Sequence, residues 1–410
     1  MLFRRYFSDE FNYFLGIYAL LMSFNSLLLF GVNASLIVFA IIAFKFSPQI
    51  KVFNVNTYAQ GLAVLFFLAV CLSILDIDTA TDKRGLDKAM AVIPNYLYWS
   101  LLTIMMVNMR FKVNWSQIAQ TIAIGLLLTL FFYSIRKTLT VDFIKNNTPN
   151  SYSFVLVCFS AISVKAVQQK YGNVAAITLL VLLISSLLGL ERRAGLFLVF
   201  TTSVAALVLN KLKGIYLIIP LLLVAIIGVV LQLEFVEQSL YNSSPRIYEL
   251  IYETENISTQ DQSYLTRKLM IERGLKSFSE HPWTGIGINN YSLMKIEDEG
   301  NFEGADLVLG KAQDHALSAH NSYILFLVEG GLALMIPFLC ILLFNLYHFV
   351  SKYNKRTPIE NAFYWSFLAM IIHIYFLSEI VNVYAWFLLA VVSSISVKYS
   401  QISLIHKNET

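Results

Sequence analysis

Asn173-Val-Ala-Ala-Ile-Thr-Leu-Leu-Val-Leu-Leu-Ile-Ser-Ser-Leu-Leu-Gly-Leu-Glu-Arg-Arg-Ala-Gly-Leu-Phe-Leu-Val-Phe-Thr-Thr-Ser-Val-Ala-Ala-Leu-Val-Leu-Asn210 holds two apolar runs, 173–190 and 194–210, parted by a short charged break at Glu191, Arg192 and Arg193. A helix rises about 1.5 Å per residue, so a run of this length spans most or all of a hydrocarbon layer of ~30 Å. The same pattern recurs along the chain, near 11–30, 34–47, 59–76, 91–109, 117–134, 151–168, 214–233, 320–348, 361–378 and 381–399. The composition agrees: 57% of residues are apolar, 14% are charged and mean hydropathy is +0.64, which excludes an ordinary soluble domain. The expected fold is therefore an all-α polytopic membrane protein with about twelve transmembrane helices. The second run is short and the tenth long. The first lacks a small-residue cleavage site, so no cleaved signal peptide is expected.

Basic residues set the expected orientation. With the amino terminus in the cytoplasm, fifteen of the 30 basic residues fall in inward segments and eight in short outward loops, the latter at Lys83, Arg84, Lys88, Arg136, Lys137, Lys145, Arg192 and Arg193. The other seven lie in one long segment, which the positive-inside rule discounts. Both termini are thus expected inside. The chain divides into helices 1–9 over 1–233, a long outward loop over 234–319, and helices 10–12 with a tail over 320–410.

The long loop carries 14 acidic residues against seven basic ones. Within it, 259–278 reads as a helix, with Thr259 and Gln262 as a capping box and Leu265, Leu269, Leu275 and Phe278 as its apolar face. Pro282 should end that helix, and Gly285-Ile-Gly287 should form a tight turn. Cys71, Cys158 and Cys340 each fall within an apolar run, so no structural disulfide is expected, and no Cys/His spacing suits a metal.

Chemistry concentrates on the outward side. Arg192 and Arg193 sit at a membrane face, followed by the small residues Ala194 and Gly195, which permit close backbone approach. Charges there are costly and hence functional suspects, although a basic pair can also simply reach for lipid phosphate. Arg267, Lys268, Arg273 and Lys276 share the loop helix but spread over more than one face. Ala319-His320-Asn321-Ser322-Tyr323 leads into the tenth run, an element closed by Glu329-Gly330-Gly331. A helix N-terminus disfavours the imidazolium, leaving His320 neutral as a general base requires; a histidine hydrogen-bonded at the interface would look the same.

Arg193-Ala-Gly-Leu-Phe, the stretch from Arg267 ending His281-Pro-Trp-Thr-Gly-Ile-Gly287, and His320-Asn-Ser with Gly330 ten residues on together resemble the O-antigen ligase and polymerase superfamily. The likeness spans roughly 175–390. It implies an inner-membrane glycosyltransferase that takes a glycan from an undecaprenyl diphosphate carrier on the periplasmic side, with no cofactor. The acceptor of a ligase is the lipid A-core of lipopolysaccharide; that of a polymerase is another carrier-linked repeat unit. The loop arrangement is most like a ligase. The family's arginines map to Arg193 and Arg267 and its histidine to His320, with Arg192, Asn321 and Glu379 as supporting candidates. Arginine forks suit a departing diphosphate, and one base could deprotonate the acceptor hydroxyl.

Two other readings remain open at this stage. Asp76 and Asp78 form an Asp-x-Asp that could hold a divalent cation, as could Glu297-Asp-Glu299, although both look like solvated loops and a metal-free reaction is expected. Many spans with intramembrane charge also fit a transporter or flippase of a polyisoprenoid-linked glycan. Membrane lipids are partners in either case, and no nucleic acid is expected.

Overall fold

The computed structural model describes residues 9–24, 28–29, 32–49, 58–75, 97–98, 100–135, 149–188, 193–209, 262–288, 290–291, 321–376 and 383–408. Apart from one hairpin, with β1 (Leu28–Leu29) antiparallel to β2 (Val32–Asn33), the regular structure in these segments is helical. In chain order the helices are α1 (Glu10–Phe24), α2 (Ala34–Phe46), α3 (Tyr58–Leu75), α4 (100–108) and α5 (Trp115–Ile135). Pro149–Leu188 follows, broken at Gly172 into α6 (149–171) and α7 (173–188), then α8 (Arg193–Val208) and α9 (Gln262–Glu280). Ser322–Ser351 is broken at Gly331 into α10 (322–330) and α11 (332–351), and α12 (Pro358–Phe376) and α13 (Val383–Asn408) complete the set.

Both breaks are full reversals. Tyr152 Oη lies 3.0 Å from Ser186 Oγ, whereas an unbroken helix would hold them about 50 Å apart, so α6 and α7 run antiparallel. The rings of Phe326 and Phe338 are 4.7 Å apart at their centroids, and those of Tyr323 and Phe338 are 6.1 Å apart, so α10 folds back along α11. Among the described residues, four stretches are long and apolar enough to cross a membrane: Trp115–Tyr133, Tyr152–Leu188, Ser322–Ser351 and Val383–Gln401. The second and third contain these reversals, so each counts as two rods. The expected tenth span is accordingly corrected. Only α11, about 30 Å long, can cross; α10, about 13 Å, cannot.

Contacts order the rods. Thr129 of α5 donates to the carbonyls of Ser23 and Phe24 in the last described turn of α1, and Leu28 and Leu29, expected in the first span, belong to β1. Gly125 lets α1 approach so closely that a Cβ there would collide with Ser23 and the Leu20 carbonyl. At one end of the bundle Asn12 Nδ2 donates to the Lys112 carbonyl, Arg110 bonds Gln401, Tyr353 Oη donates to the Leu209 carbonyl, and Lys398 pairs with the buried Glu360. Asn12 and Gln401 therefore lie at the same end, and the Gly172 reversal is there too. A continuous core of buried Phe, Leu, Val and Trp side chains, including Trp386 and Phe387, fills the interior. Phe131, Val174, Ile177, Val181, Phe197 and Leu343 stay exposed, as lipid-facing side chains do.

Residues 214–233 and most of 234–319 lie outside the described residues, as do Asp76, Asp78 and the Glu297–Glu299 cluster. The three cysteines are unbridged.

Candidate active site

The opposite end of the bundle holds the candidate site, and its centre is the break at Gly331. A helix interrupted inside a membrane protein leaves carbonyls and amides that need partners. Here the loop after α9 supplies them on both sides. Ile286 N–H donates to the Val328 carbonyl at 2.9 Å and Gly287 N–H to the Glu329 carbonyl at 3.0 Å, closing the last turn of α10. In return, Leu332 N–H donates to the Pro282 carbonyl at 2.9 Å and Ala333 N–H to the Trp283 carbonyl at 3.0 Å, closing the first turn of α11. This clasp is backbone to backbone, so it requires glycine where the chains touch. A Cβ on Gly331 would strike the Trp283 carbonyl and lie 2.7 Å from the Gly285 nitrogen; one on Gly285 would lie 2.5 Å from the Val328 oxygen. Both have positive φ, 59° and 74°, which Gly adopts at no steric cost.

α9 is joined to α10 by side chains as well. Met270, Tyr291, Leu325 and Val328 form a buried cluster with Phe278, Ile286 and Ile324 around it. Gly274 sits at the closest approach, where a Cβ would be 2.8 Å from Ile324 Cγ2 and 3.1 Å from Val328 Cγ2. The apolar face of α9 thus passes through Met270, Gly274 and Phe278, and Leu275, expected on that face, is 45% exposed. Leu265 and Leu269 have no described side-chain position, and Thr259 precedes the described part of the helix. Burial holds the Tyr291 phenol well above its usual pKa; Arg273 pulls the other way and the buried Glu329 adds to the rise. Its hydroxyl donates to the Met270 carbonyl, tying the loop back onto α9. Burial also lowers the pKa of Arg273.

Asn321 caps α10. Its side-chain oxygen accepts from Tyr323 N–H at 2.9 Å and Ile324 N–H at 3.1 Å, an ordinary asparagine N-cap. This engages the side chain that sequence reasoning assigned a supporting part in the site. Tyr323 Oη donates to the Ile371 carbonyl at 2.8 Å, fixing α10 to the end of α12. Two residues on, buried His373 stacks on Phe154 of α6 at 5.3 Å, and Phe154 also touches Tyr384 at the start of α13. Phe154 neighbours Ser153, whose hydroxyl faces Gly195 so tightly that a Cβ at 195 would overlap it. Gly195 therefore serves helix packing of α8 against α6. Tyr133 stacks on Tyr152 at 3.9 Å on the same flank.

Arg193 is the first residue of α8 and Arg267 lies within α9, each described by its backbone alone. His320, Arg192 and Glu379 lie outside the described residues. What the structure brings together is α9, α10, α12, α6 and α8, linked in that order by the contacts above. Sequence reasoning missed the clasp. The pairing of Gly285 and Gly287 with Gly330-Gly331 was the available signal.

Residues 177–339 match the family model described as O-antigen ligase. Over this segment, less than half of its length, the chain is similar to the O-antigen ligase family. This family comprises membrane glycosyltransferase-like ligases and polymerases, which agrees with the membrane-spanning helices. The match begins inside α7 and ends inside α11, so it encloses Arg193, α9, the clasp and α10. The O-antigen ligase match ends before α12, α13 and Glu379. No curated protein matches the chain.

Proposed function

We propose that the protein is an O-antigen ligase that transfers a glycan from undecaprenyl diphosphate to the lipid A-core of lipopolysaccharide. The observation that carries this reading is the coincidence of the family match with the clasp. One matched segment holds the helix bearing Arg267, the helix that begins two residues after His320, and the loop joining them. In this reading the protein is a twelve-span inner-membrane protein with both termini cytoplasmic and the 234–319 segment periplasmic.

Arg193 and Arg267 hold the diphosphate. Their planar cations donate paired hydrogen bonds to phosphate oxygens and stay protonated, so they stabilise charge as the leaving group departs. His320 takes the proton from an acceptor sugar hydroxyl. The hydroxyl oxygen bonds the anomeric carbon while the bond from that carbon to the diphosphate oxygen breaks, and the carrier leaves as undecaprenyl diphosphate. The α10 N-terminus lies just beyond His320 and disfavours its cation, which keeps the imidazole able to accept a proton. Asn321 acts on the geometry of α10, and Arg192 and Glu379 are supporting residues. No metal is required.

The test is a detergent-solubilised assay with lipid-linked donor and lipid A-core acceptor. His320→Ala should lower transfer by ~10²–10⁴-fold, the usual contribution of a general base. Arg193→Ala and Arg267→Ala should also be severely impaired, and EDTA should change nothing. Full activity in the folded His320→Ala protein would remove the histidine from the mechanism. Transfer to carrier-linked repeat units in place of lipid A-core would make the protein a polymerase. Movement of the carrier across a liposome without any new glycosidic bond would make it a flippase.

A further inference from the structure

We infer that Gly285 and Gly331 are positioning residues for glycan transfer, whose side-chain-free contact sets the placement of α10, the helix that follows the His320 motif in the sequence, against the Arg267-bearing helix α9. The inference rests on the glycan-transfer reading.

Three observations support it. The clasp joins segments more than forty residues apart through four backbone hydrogen bonds, two in each direction, so it fixes translation and rotation together. Gly285 and Gly331 are buried at the point of contact, where any Cβ meets backbone atoms that no side-chain rotation can move. Finally, α10 is short and capped at both ends, by Asn321 at its start and by Ile286 and Gly287 at its finish, so a displacement at the clasp is carried along a stiff rod to its N-cap. α9 is seated on the same rod through Gly274. Misplacing reacting groups by about 1 Å can cost ~10²-fold in rate.

The experiment compares kcat and donor KM for the full chain in detergent with carrier-linked glycan as donor. Gly285→Ala and Gly331→Ala should lose about 10²-fold in kcat with KM within about threefold of wild type, as expected when alignment in the transition state is lost while ground-state binding persists. Gly172→Ala, with comparable backbone strain but open space around it, should keep the wild-type kcat. Gly274→Ala presses only on side-chain tips; it should lower kcat, and adding Ile324→Ala, which deletes the contacting Cγ2, should restore it. If the two clasp variants do not fold, the Gly274 pair decides. Wild-type kcat in any folded clasp variant, or in Gly274→Ala, would overturn the positioning role, as would failure of Ile324→Ala to rescue. If the wild-type protein itself makes no glycosidic bond, the functional reading has failed and the positioning role falls with it.

Discussion

Gly172 and Gly331 break their helices in nearly the same way. Their dihedrals, 87° and 179° against 59° and −161°, both belong to a region that only glycine occupies readily. Their surroundings differ. Nothing lies within 4 Å of a Cβ placed on Gly172, which is exposed at the end of the bundle, while Gly331 is buried against the backbone of Trp283 and Gly285. At an exposed reversal, water or lipid headgroups can satisfy the helix ends. A buried reversal needs another piece of chain to do so, and in accepting that piece it couples three elements, α9, α10 and α11. The first break shapes topology; the second also fixes a geometry on which chemistry can depend.

The most direct way to break this comparison is to give both glycines the same methyl group. Each alanine carries the backbone cost of about 1–3 kcal/mol for a residue forced into this region. Gly331→Ala must in addition push the clasp apart, and each buried hydrogen bond left unmade costs about 1–3 kcal/mol. The Gly331→Ala protein should therefore unfold well below Gly172→Ala in a thermal denaturation series in one detergent. Equal losses would mean that the clasp contributes nothing beyond local strain.

A second prediction sharpens the Gly172 side. Tyr152→Phe removes the hydrogen bond to Ser186 and should cost about 1 kcal/mol, the usual net worth of such a bond. Reversal itself is testable by proximity. With the three native cysteines replaced, Tyr152→Cys and Ser186→Cys should be linked by a short bifunctional thiol reagent, which two groups about 50 Å apart on a continuous helix would never permit.

The apolar runs were readable from composition because each helix must hide its backbone from lipid, and every run that falls among the described residues contains a helix. The reversal at Gly172 was foreshadowed too, since the apolar runs 151–168 and 173–190 leave a gap around it. Gly330-Gly331 closes the histidine-bearing element but falls inside the single run 320–348, so no gap between runs marks the break. Glycine inside an apolar run is common in membrane helices, and the atoms that enforce the break, from Pro282 to Gly287, lie some forty-five residues away in the chain. The same distance effect misdirected the face of α9. Periodicity favoured Leu275 over Gly274, but the helix is drawn so close to Ile324 that the buried position is the one without a side chain. The arginine and histidine motifs were legible only as a set, through the family they resemble; single charges at a membrane face have too many structural explanations to point to a reaction.

Trp283 supplies the smallest expected effect and the cleanest distinction within the clasp itself. Its carbonyl accepts from Ala333 N–H, yet its side chain is 70% exposed. If the clasp is held by main-chain bonds, Trp283→Ala leaves every one of them in place, and the change in stability should stay within about 0.5 kcal/mol, as for most surface substitutions. A loss as large as that of Gly331→Ala would instead mean that the indole, through lipid or a neighbouring segment, anchors the loop. The glycines would then be passengers in a contact made by the tryptophan, and the contrast between the two breaks would come from the loop's anchor and not from the buried backbone.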